Sequence, residues 1–252
     1  MPSTDNTVLF EPGNYRYVPS VFQYSAGVAA EPGFAIRRVR FHHPIPLAKG
    51  FDIVADAIKS AGRPLTAFCA CELRSPGQFT DAGFKAFNQL YCETLSDWGI
   101  YDAPKNPVAR SNVCPEQNGP SEPSFHAFSF TVEAERGPAS FVISGSGEAK
   151  EGDGPYSERI VRLGEQSPDA MAAKARHVLD EMERRLARFG HTWQHTTAAQ
   201  TYTVYDIHPF MAAEIVKRGA AAGGLTWHFA RPPVQGLDYE MDCRAVYDER
   251  VI

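Results

Sequence analysis

One order of strands and helices occurs twice along the 252 residues of this chain, and this repetition constrains the fold most strongly. An apolar segment ending in a small-residue turn lies at Phe22 to Gly27, and a second lies at Phe141 to Ser146. Both are typical of strands, and each is followed by a polar stretch, a helix, a strand, a second helix and a closing strand. The pattern predicts two tandem modules, residues 1–136 and 137–252, divided near Arg136-Gly137-Pro138.

The first helix of each module has the same apolar spacing, i, i+4, i+7 and i+11, which is typical of a helix buried on one face. The positions are Leu47, Phe51, Val54 and Ile58 in the first module, and Met171, Ala175, Val178 and Met182 in the second. Glycine follows each helix, at Gly62 and Gly190, as a left-handed C-terminal cap requires. Each helix is therefore expected to pack one face against a sheet.

The remaining elements complete an order of β-β-α-β-α-β in each module. A second helix is predicted from Asp81 to Trp98, and its counterpart begins near Pro209 and breaks at Gly219. The closing strands are predicted at Ser124 to Ala134 and Gly236 to Tyr247. Short links between such elements favour an α+β fold, in which each module is a mixed sheet with two helices on one face.

The composition limits the classes of partner. A formal net charge of −5 and a pI near 5.9 give no basic surface for nucleic acid or an anionic membrane. No apolar run approaches the ~18–20 residues of a membrane span. Residues Met1 to Pro12 lack the basic and apolar regions of an export signal. The five cysteines include no zinc-like pair. A cytoplasmic location is expected.

Three motifs of the first module carry a family resemblance. They are Ser25-Ala26-Gly27 at the end of the first apolar segment, Phe87-Asn88-Gln89-Leu90-Tyr91 on the second helix, and Pro107-Val108-Ala109-Arg110-Ser111. In this order they resemble the Ser-Gly turn, the N-x-x-Y and the P-A-R-S elements of the Rid (reactive intermediate deaminase, YjgF-like) family. The resemblance implies two chorismate-mutase-like Rid modules in tandem.

The second module resembles the family at a different place. Ala222-Gly223-Gly224-Leu225-Thr226 stands where the arginine element is expected, so this arginine has no counterpart there. Asp238-Tyr239-Glu240-Met241-Asp242 resembles the family's closing strand, and Glu240 falls at the position of the catalytic carboxylate. The first module has Ala127 and Ser129 in that region. The pattern indicates composite sites rather than one complete site per module.

The resemblance implies that Arg110 holds the carboxylate of a 2-imino or 2-enamino acid. A guanidinium fork binds a carboxylate through two charge-assisted hydrogen bonds. Glu240 is expected to manage the attacking water and the departing ammonia as a general acid and base. The opposing interpretations are a surface ion pair for Arg110 and a solvated strand face for Glu240, since strand alternation places Tyr239, Met241 and Cys243 opposite it.

Gly27, Ser111 and Tyr15 complete the predicted substrate-binding residues: Gly27 and Ser111 belong to the motifs, and Tyr15 lies near the family's pocket-lining aromatic residue. No metal or cofactor is expected, because the substrate is already an activated electrophile. Rid modules form trimers with sites between neighbouring modules, so a homo-oligomer is expected, with a trimer as one arrangement. Arg110 of one module is predicted to meet Glu240 of another across such a seam.

Three functions stay open at this point. The first is hydrolytic deamination of a small enamine or imine carboxylate, of the 2-imino acid or 2-aminomuconate type. The second is a chorismatase-like hydrolysis of a cyclic enol ether. The third is a non-catalytic ligand-binding module.

Overall fold

The structure is a computed structural model that describes residues 7–135, 137–150, 152 and 154–252. Its strands are β1 (Val8–Phe10), β2 (Tyr15–Val18), β3 (Gly27–Ala30), β4 (Phe34–Pro46), β5 (Phe68–Arg74), β6 (Ala109–Pro115), β7 (Ser124–Glu133), β8 (Phe141–Gly147), β9 (Ala198–Tyr202), β10 (Leu225–His228), β11 (Ala230–Arg231), β12 (Glu240–Ala245) and β13 (Asp248–Val251). Its α-helices are α1 (Leu47–Ser60), α2 (Asp81–Asp97), α3 (Tyr156–Arg159), α4 (Pro168–Arg188) and α5 (His208–Phe210). A π-helical turn, Met211–Val216, continues α5, and short 3-10 turns lie at Glu11–Gly13, Leu65–Ala67 and Trp193–His195.

The strands form two mixed sheets. The first sheet has the order β1-β2-β3-β8-β12-β9-β10, and the second has the order β11-β6-β5-β7-β4-β13. Apolar side chains of α4 pack on the first sheet, and those of α1 and α2 pack on the second. The faces of the two sheets that are not covered by these helices pack against each other. At this contact, Gln200 Nε2 on β9 donates to Glu72 Oε2 on β5 at 3.4 Å. The α+β class predicted from the sequence is confirmed.

The same four-strand arrangement occurs in both sheets. The order β6-β5-β7-β4 in the second sheet matches β10-β9-β12-β8 in the first. The first pair is parallel in each, β5 with β6 and β9 with β10, and the other pairs are antiparallel. The next long helix after the matching strand is α1 after β4 in one half and α4 after β8 in the other, where the short helix α3 comes between. The strand order therefore repeats the sequence pattern in three dimensions.

The two halves of the chain exchange strands. From the first half, β3 pairs with β8, so β1 to β3 extend the sheet that is otherwise built by the second half. From the second half, β11 pairs with β6 and β13 pairs with β4. Each sheet thus depends on both halves. The predicted boundary includes Arg136, which lies outside the described residues.

The helix ends follow the sequence signals. Ser167 Oγ accepts from the backbone N–H of Ala170 at 3.3 Å at the start of α4, and Thr80 Oγ1 accepts from Gly83 at 3.1 Å at the start of α2. Gly62 and Gly190 follow α1 and α4 with φ values of 71° and 73°. Only glycine adopts this left-handed conformation without strain, so both predicted C-terminal caps are confirmed.

Two strand predictions differ from the structure. The segment Phe22 to Ala26 forms turns and single bridges, and the strand begins only at Gly27. The equivalent of β8 in the first half is the 13-residue strand β4, whose arginines obscure the apolar alternation. Arg37 pairs with Asp248 on the neighbouring strand β13 at 2.5 Å, and Arg38 pairs with Glu72 on β5, two strands away, at 2.6 Å. Among the described residues, no helix is both long and apolar enough to span a membrane.

Candidate active site

Arg110 lies on β6 at the seam between the two sheets. Its backbone N–H donates to Ser144 Oγ of β8 at 3.0 Å, and Ser144 Oγ donates to the carbonyl of Ser25 at 2.6 Å. Ser25, from the predicted Ser-Ala-Gly motif, also forms a parallel bridge with Ala109. The two motifs of the first half and strand β8 of the second half therefore fix the position of Arg110.

Four aromatic rings surround the guanidinium of Arg110. Its central carbon lies 4.8 Å from the ring centroid of Tyr91, 5.2 Å from Tyr24, 5.7 Å from Phe87 and 5.8 Å from Phe84. Aromatic faces at such distances attract a cation, and the attraction increases when water is excluded. Three of the rings come from α2, so this helix orients the arginine as well as covering the sheet.

The guanidinium has donors but no acceptor. Arg110 is 2% exposed, and neither Nη1 nor Nη2 has a hydrogen-bond partner among the described residues. Leaving buried charged donors unpaired is costly, and the cost is recovered when an anion binds. The surface ion pair considered from the sequence is therefore wrong, and the arrangement fits a ligand carboxylate.

Glu240 is the first residue of β12, between Gly147 on β8 and Tyr202 on β9. As the alternation predicted, Tyr239, Met241 and Cys243 face the apolar core under α4. The opposite face is not solvated, since Glu240 is 5% exposed. Within the described parts of the chain, its carboxyl group has no hydrogen bond or ion pair.

Burial raises the pKa of Glu240 well above its usual range. The nearby carboxyl groups of Asp242 and Glu148 add to this rise, while Arg110 and Arg74 oppose it. Glu240 therefore carries a proton at pH values where an exposed glutamate has lost it. A protonated carboxylic acid in a buried pocket can donate to a substrate and then act as a base.

Lys174, Glu148 and Asp238 fix the chain just before Glu240. The Lys174 ammonium donates to Asp238 Oδ2 at 2.6 Å and to Glu148 Oε1 at 3.2 Å. The Glu148 carboxylate accepts from the backbone N–H groups of Asp238 at 2.6 Å and Tyr239 at 3.0 Å. These buried contacts orient the start of β12 and hold Glu240 towards the seam.

Arg110 and Glu240 line the same inner pocket within a single chain. Its wall consists of Tyr24, Phe84, Arg110, Asn112, Gly145, Gly147, Pro233 and Glu240, and its volume is about 30 Å³. Gly145 leaves room for the acid, because a Cβ there would overlap Glu240 Oε1 and would lie 3.1 Å from Ser111 Cβ. The pocket holds a carboxylate-sized group or a few waters.

An outer pocket of about 470 Å³ adjoins the inner pocket through their shared walls, Tyr24 and Gly147. Among the residues that the structure describes, those that line it and carry charge are Lys150, Arg159 and Arg185, all cationic. A ligand larger than the inner pocket can extend past Tyr24 into this space.

Ser111 lies next to the inner pocket: it lines a 10 Å³ cavity between the sheets together with Arg110, and its buried hydroxyl has no hydrogen-bond partner among the described residues. Two of the predicted substrate-binding residues, Gly27 and Tyr15, lie elsewhere. Gly27 packs β3 on β8, where a Cβ would lie 3.0 Å from both the Val142 carbonyl and Ile143 Cδ1. Tyr15 is fully buried in a separate apolar cluster, and its hydroxyl donates to the Phe68 carbonyl at 3.2 Å.

Sequence reasoning missed Tyr24 and the ring faces of Phe84 and Phe87. Tyr24 lies inside the predicted strand segment Phe22 to Gly27, directly before the Ser-Ala-Gly motif, where an aromatic residue predicts packing in a strand. Phe84, Phe87 and Tyr91 have helical spacing, which predicts packing equally well. Only the position of β6 shows that this apolar face also contacts a cation.

The fold and this pocket define a class of protein: two exchanged mixed sheets, with a buried site that combines an anion-binding arginine and a carboxylic acid. Comparison with known proteins gives the family. The model of a family described as 2-aminomuconate deaminase CnbZ matches residues 7–250. A 2-amino-5-chloromuconate deaminase from Comamonas testosteroni is 50% identical over 250 residues, 98% of this chain and 99% of that protein. The chain belongs to the 2-aminomuconate deaminase CnbZ family.

Rid proteins, which the sequence motifs resemble, are among the solved structures to which this chain is similar. RidA from an Antarctic Psychrobacter is 14% identical, with a TM-score of 0.32, over 45% of this chain and 85% of that chain. The YjgF gene product from E. coli is 18% identical, with the same TM-score of 0.32, over 45% of this chain and 84% of that chain.

Proposed function

We propose that this protein is a hydrolytic deaminase of a 2-aminomuconate-type enamine carboxylate. The observation that carries the proposal is the inner pocket, which is lined by the buried acid Glu240 and by Arg110, whose Nη1 and Nη2 have no hydrogen-bond partner among the described residues. The family description and the name of the relative support this substrate class. Neither match favours a chorismatase or a non-catalytic module.

In the proposed reaction, Arg110 binds the carboxylate next to the carbon that bears nitrogen, which places this carbon near Glu240. Protonated Glu240 donates its proton to a carbon atom of the conjugated enamine, and the substrate becomes an iminium. The resulting carboxylate removes a proton from water as the water oxygen bonds to the iminium carbon. Glu240 then protonates the amino nitrogen of this adduct. As the C–N bond breaks and ammonia leaves, the hydroxyl becomes the carbonyl of a 2-oxo acid and returns its proton to Glu240.

In the net reaction, one enamine acid and one water give one 2-oxo acid and one ammonia. No redox partner is required. The proposal therefore assigns no step to a metal or organic cofactor. Arg110 and Glu240 are the catalytic residues in this scheme. Gly27 supports the site by allowing β3 to pack closely on β8, rather than by contacting substrate.

The proposal also includes two modules, 1–136 and 137–252, that share this site across their seam. Repetition of one four-strand order in the two sheets supports this division. Self-association of the chain, with a trimer as one arrangement, and a cytoplasmic location stay predictions from the sequence.

The test is ammonia release from freshly generated 2-aminomuconate, measured together with formation of the 2-oxo acid. We expect wild-type turnover, a loss of about 10²–10⁴-fold in kcat for Glu240→Gln, and a large loss of kcat/KM for Arg110→Met. Glu93→Gln, an exposed change on α2, is the matched control and should retain activity. Turnover by both site variants at the wild-type rate would overturn the proposal.

A further inference from the structure

The inner pocket is too small for a whole six-carbon acid. Its volume of about 30 Å³ accommodates the carboxylate held by Arg110 and little more. The inner pocket shares its lining residues Tyr24 and Gly147 with the outer pocket of about 470 Å³, so the outer pocket is the neighbouring space that fits the rest of a longer substrate. The side chains that line the outer pocket are therefore the candidates for contact with the far end of the substrate.

Arg159 is well placed to meet an anion there. It is the last residue of α3, and its guanidinium carbon lies 4.6 Å from the ring centroid of Tyr156, another lining residue. One donor, Nη1, is used by the Lys150 carbonyl at 2.9 Å. Its Nε is buried and has no hydrogen-bond partner among the described residues.

Lys150 and Arg185 line the same pocket, but Arg185 is already bound. Arg185 Nε donates to Glu181 Oε1 at 2.6 Å, and Nη1 donates to the Ser144 carbonyl at 3.1 Å. Lys150 is paired to Arg159 through the backbone, since its N–H donates to the Arg159 carbonyl at 3.0 Å. Lys150 and Arg159 therefore lie next to each other in the wall of the pocket.

The segment that carries Arg159 is tied to both sheets. The backbone N–H of Tyr156 donates to Asp81 Oδ2 at the start of α2, at 3.1 Å. The backbone N–H of Val161 donates to the Glu148 carbonyl at 2.8 Å, and Ile160 is buried. A cation on this segment therefore has a defined position relative to Arg110 and Glu240.

We infer that Arg159, assisted by Lys150, binds the distal carboxylate of a dicarboxylate substrate, while Arg110 binds the proximal one. This inference rests on the proposed function and extends it, because it makes the second carboxylate a specificity determinant. Arg159 contacts no reacting atom in this arrangement. A short monocarboxylate enamine acid would lack this contact and would be a poorer substrate.

The test uses two unreactive probes of equal length, muconate with two carboxylates and sorbate with one. Calorimetry on the full chain should show tighter binding of muconate than of sorbate. Arg159→Met should remove this preference by weakening muconate about 10- to 100-fold, with sorbate unchanged. Arg159→Lys should keep part of the preference, and Arg110→Met should weaken both probes.

Arg162→Met is the matched control, because Arg162 is on the same segment, is exposed, and pairs with Glu165. It should leave both affinities unchanged. Three results would overturn the inference. They are equal affinities of wild type for the two probes, no binding of muconate to wild type, and an equal loss of affinity for both probes in Arg159→Met. Muconate preference without any ammonia release would instead refute the proposed function and leave this subsite standing.

Discussion

Arg110 and Glu240 are buried without the partners that such groups normally have. Nη1 and Nη2 of Arg110 are unpaired, and Glu240 forms no hydrogen bond within the described residues. Most buried polar groups are satisfied, so unsatisfied ones concentrate where a ligand completes them. Burying Arg110 and Glu240 in this way lowers the stability of the free protein, and under the proposed function a bound substrate offsets this cost.

Glu240→Gln should make folding stability less dependent on pH. The pKa of Glu240 is raised in the folded protein, so the folded chain binds more protons than the unfolded chain between the unfolded pKa and the folded pKa. Wild-type stability therefore falls as pH rises through this window, and glutamine removes this contribution. The melting temperature of the variant should rise relative to that of wild type as pH increases from 4.5 to 8.5. The expected rise is about 2–4 °C for each kcal/mol of difference in the free energy of unfolding.

Below the pKa that Glu240 has in the unfolded chain, its carboxyl group is protonated and neutral, like the glutamine that replaces it. The melting temperatures of wild type and of Glu240→Gln should therefore converge at these pH values. The exposed variant Glu93→Gln should follow wild type across the whole range. A constant offset between Glu240→Gln and wild type at every pH would contradict a raised pKa at this residue.

At the scale of elements, strand β8 approaches β12 closely because Gly145 has no side chain. A Cβ at this position would overlap Glu240 Oε1 and would lie 3.1 Å from Ser111 Cβ. Gly145→Ala should therefore displace the acid from the inner pocket and lower kcat by about 10-fold or more, since small misplacements of catalytic groups are costly. Steady-state kinetics and circular dichroism would measure the activity and the fold.

Gly77→Ala is the control for this change, because nothing lies within 4 Å of a Cβ at Gly77 and its φ is not positive. This variant should retain wild-type kinetics. Equal kinetics for Gly145→Ala and wild type would show that β8 can move away from Glu240, and that Gly145 does not define the pocket.

The three long helices were predictable from the sequence, whereas many of the strands and the short helix α3 were not. Helices α1, α2 and α4 carry regular apolar spacing, and Gly62 and Gly190 mark the ends of α1 and α4; these signals depend on local residues. Strand β4 was missed because Arg37 and Arg38 occupy positions that apolar residues would take in an ordinary strand. Their partners, Asp248 and Glu72, are distant in sequence, so only the assembled sheet explains them.

The candidate site was predicted in part for the same reason. Arg110 and Glu240 were predicted from short motifs, and the structure brings both into one pocket. Tyr24 and Arg159 were not predicted, because nothing local distinguishes them from packing or surface residues. Tyr15 was assigned to the pocket by its approximate position, but its hydroxyl bonds to the Phe68 carbonyl within an apolar cluster.

At the scale of the whole molecule, exchange of strands between the halves predicts a single unfolding transition. Because β3 pairs with β8 and β13 pairs with β4, neither sheet is complete without both halves. Calorimetry should give one peak whose calorimetric and van't Hoff enthalpies agree. Two separated transitions would show that the halves fold independently despite the shared strands.

The site is shared by two halves of one polypeptide, and this has a genetic consequence. If Arg110 and Glu240 came from different subunits, mixed oligomers of two inactive variants would contain some intact sites. Since both line a pocket within one chain, every chain of Arg110→Met or Glu240→Gln carries a defect. Co-expressing the two mutant alleles in one cell should therefore restore no activity, and the two mutations should behave as a single complementation group.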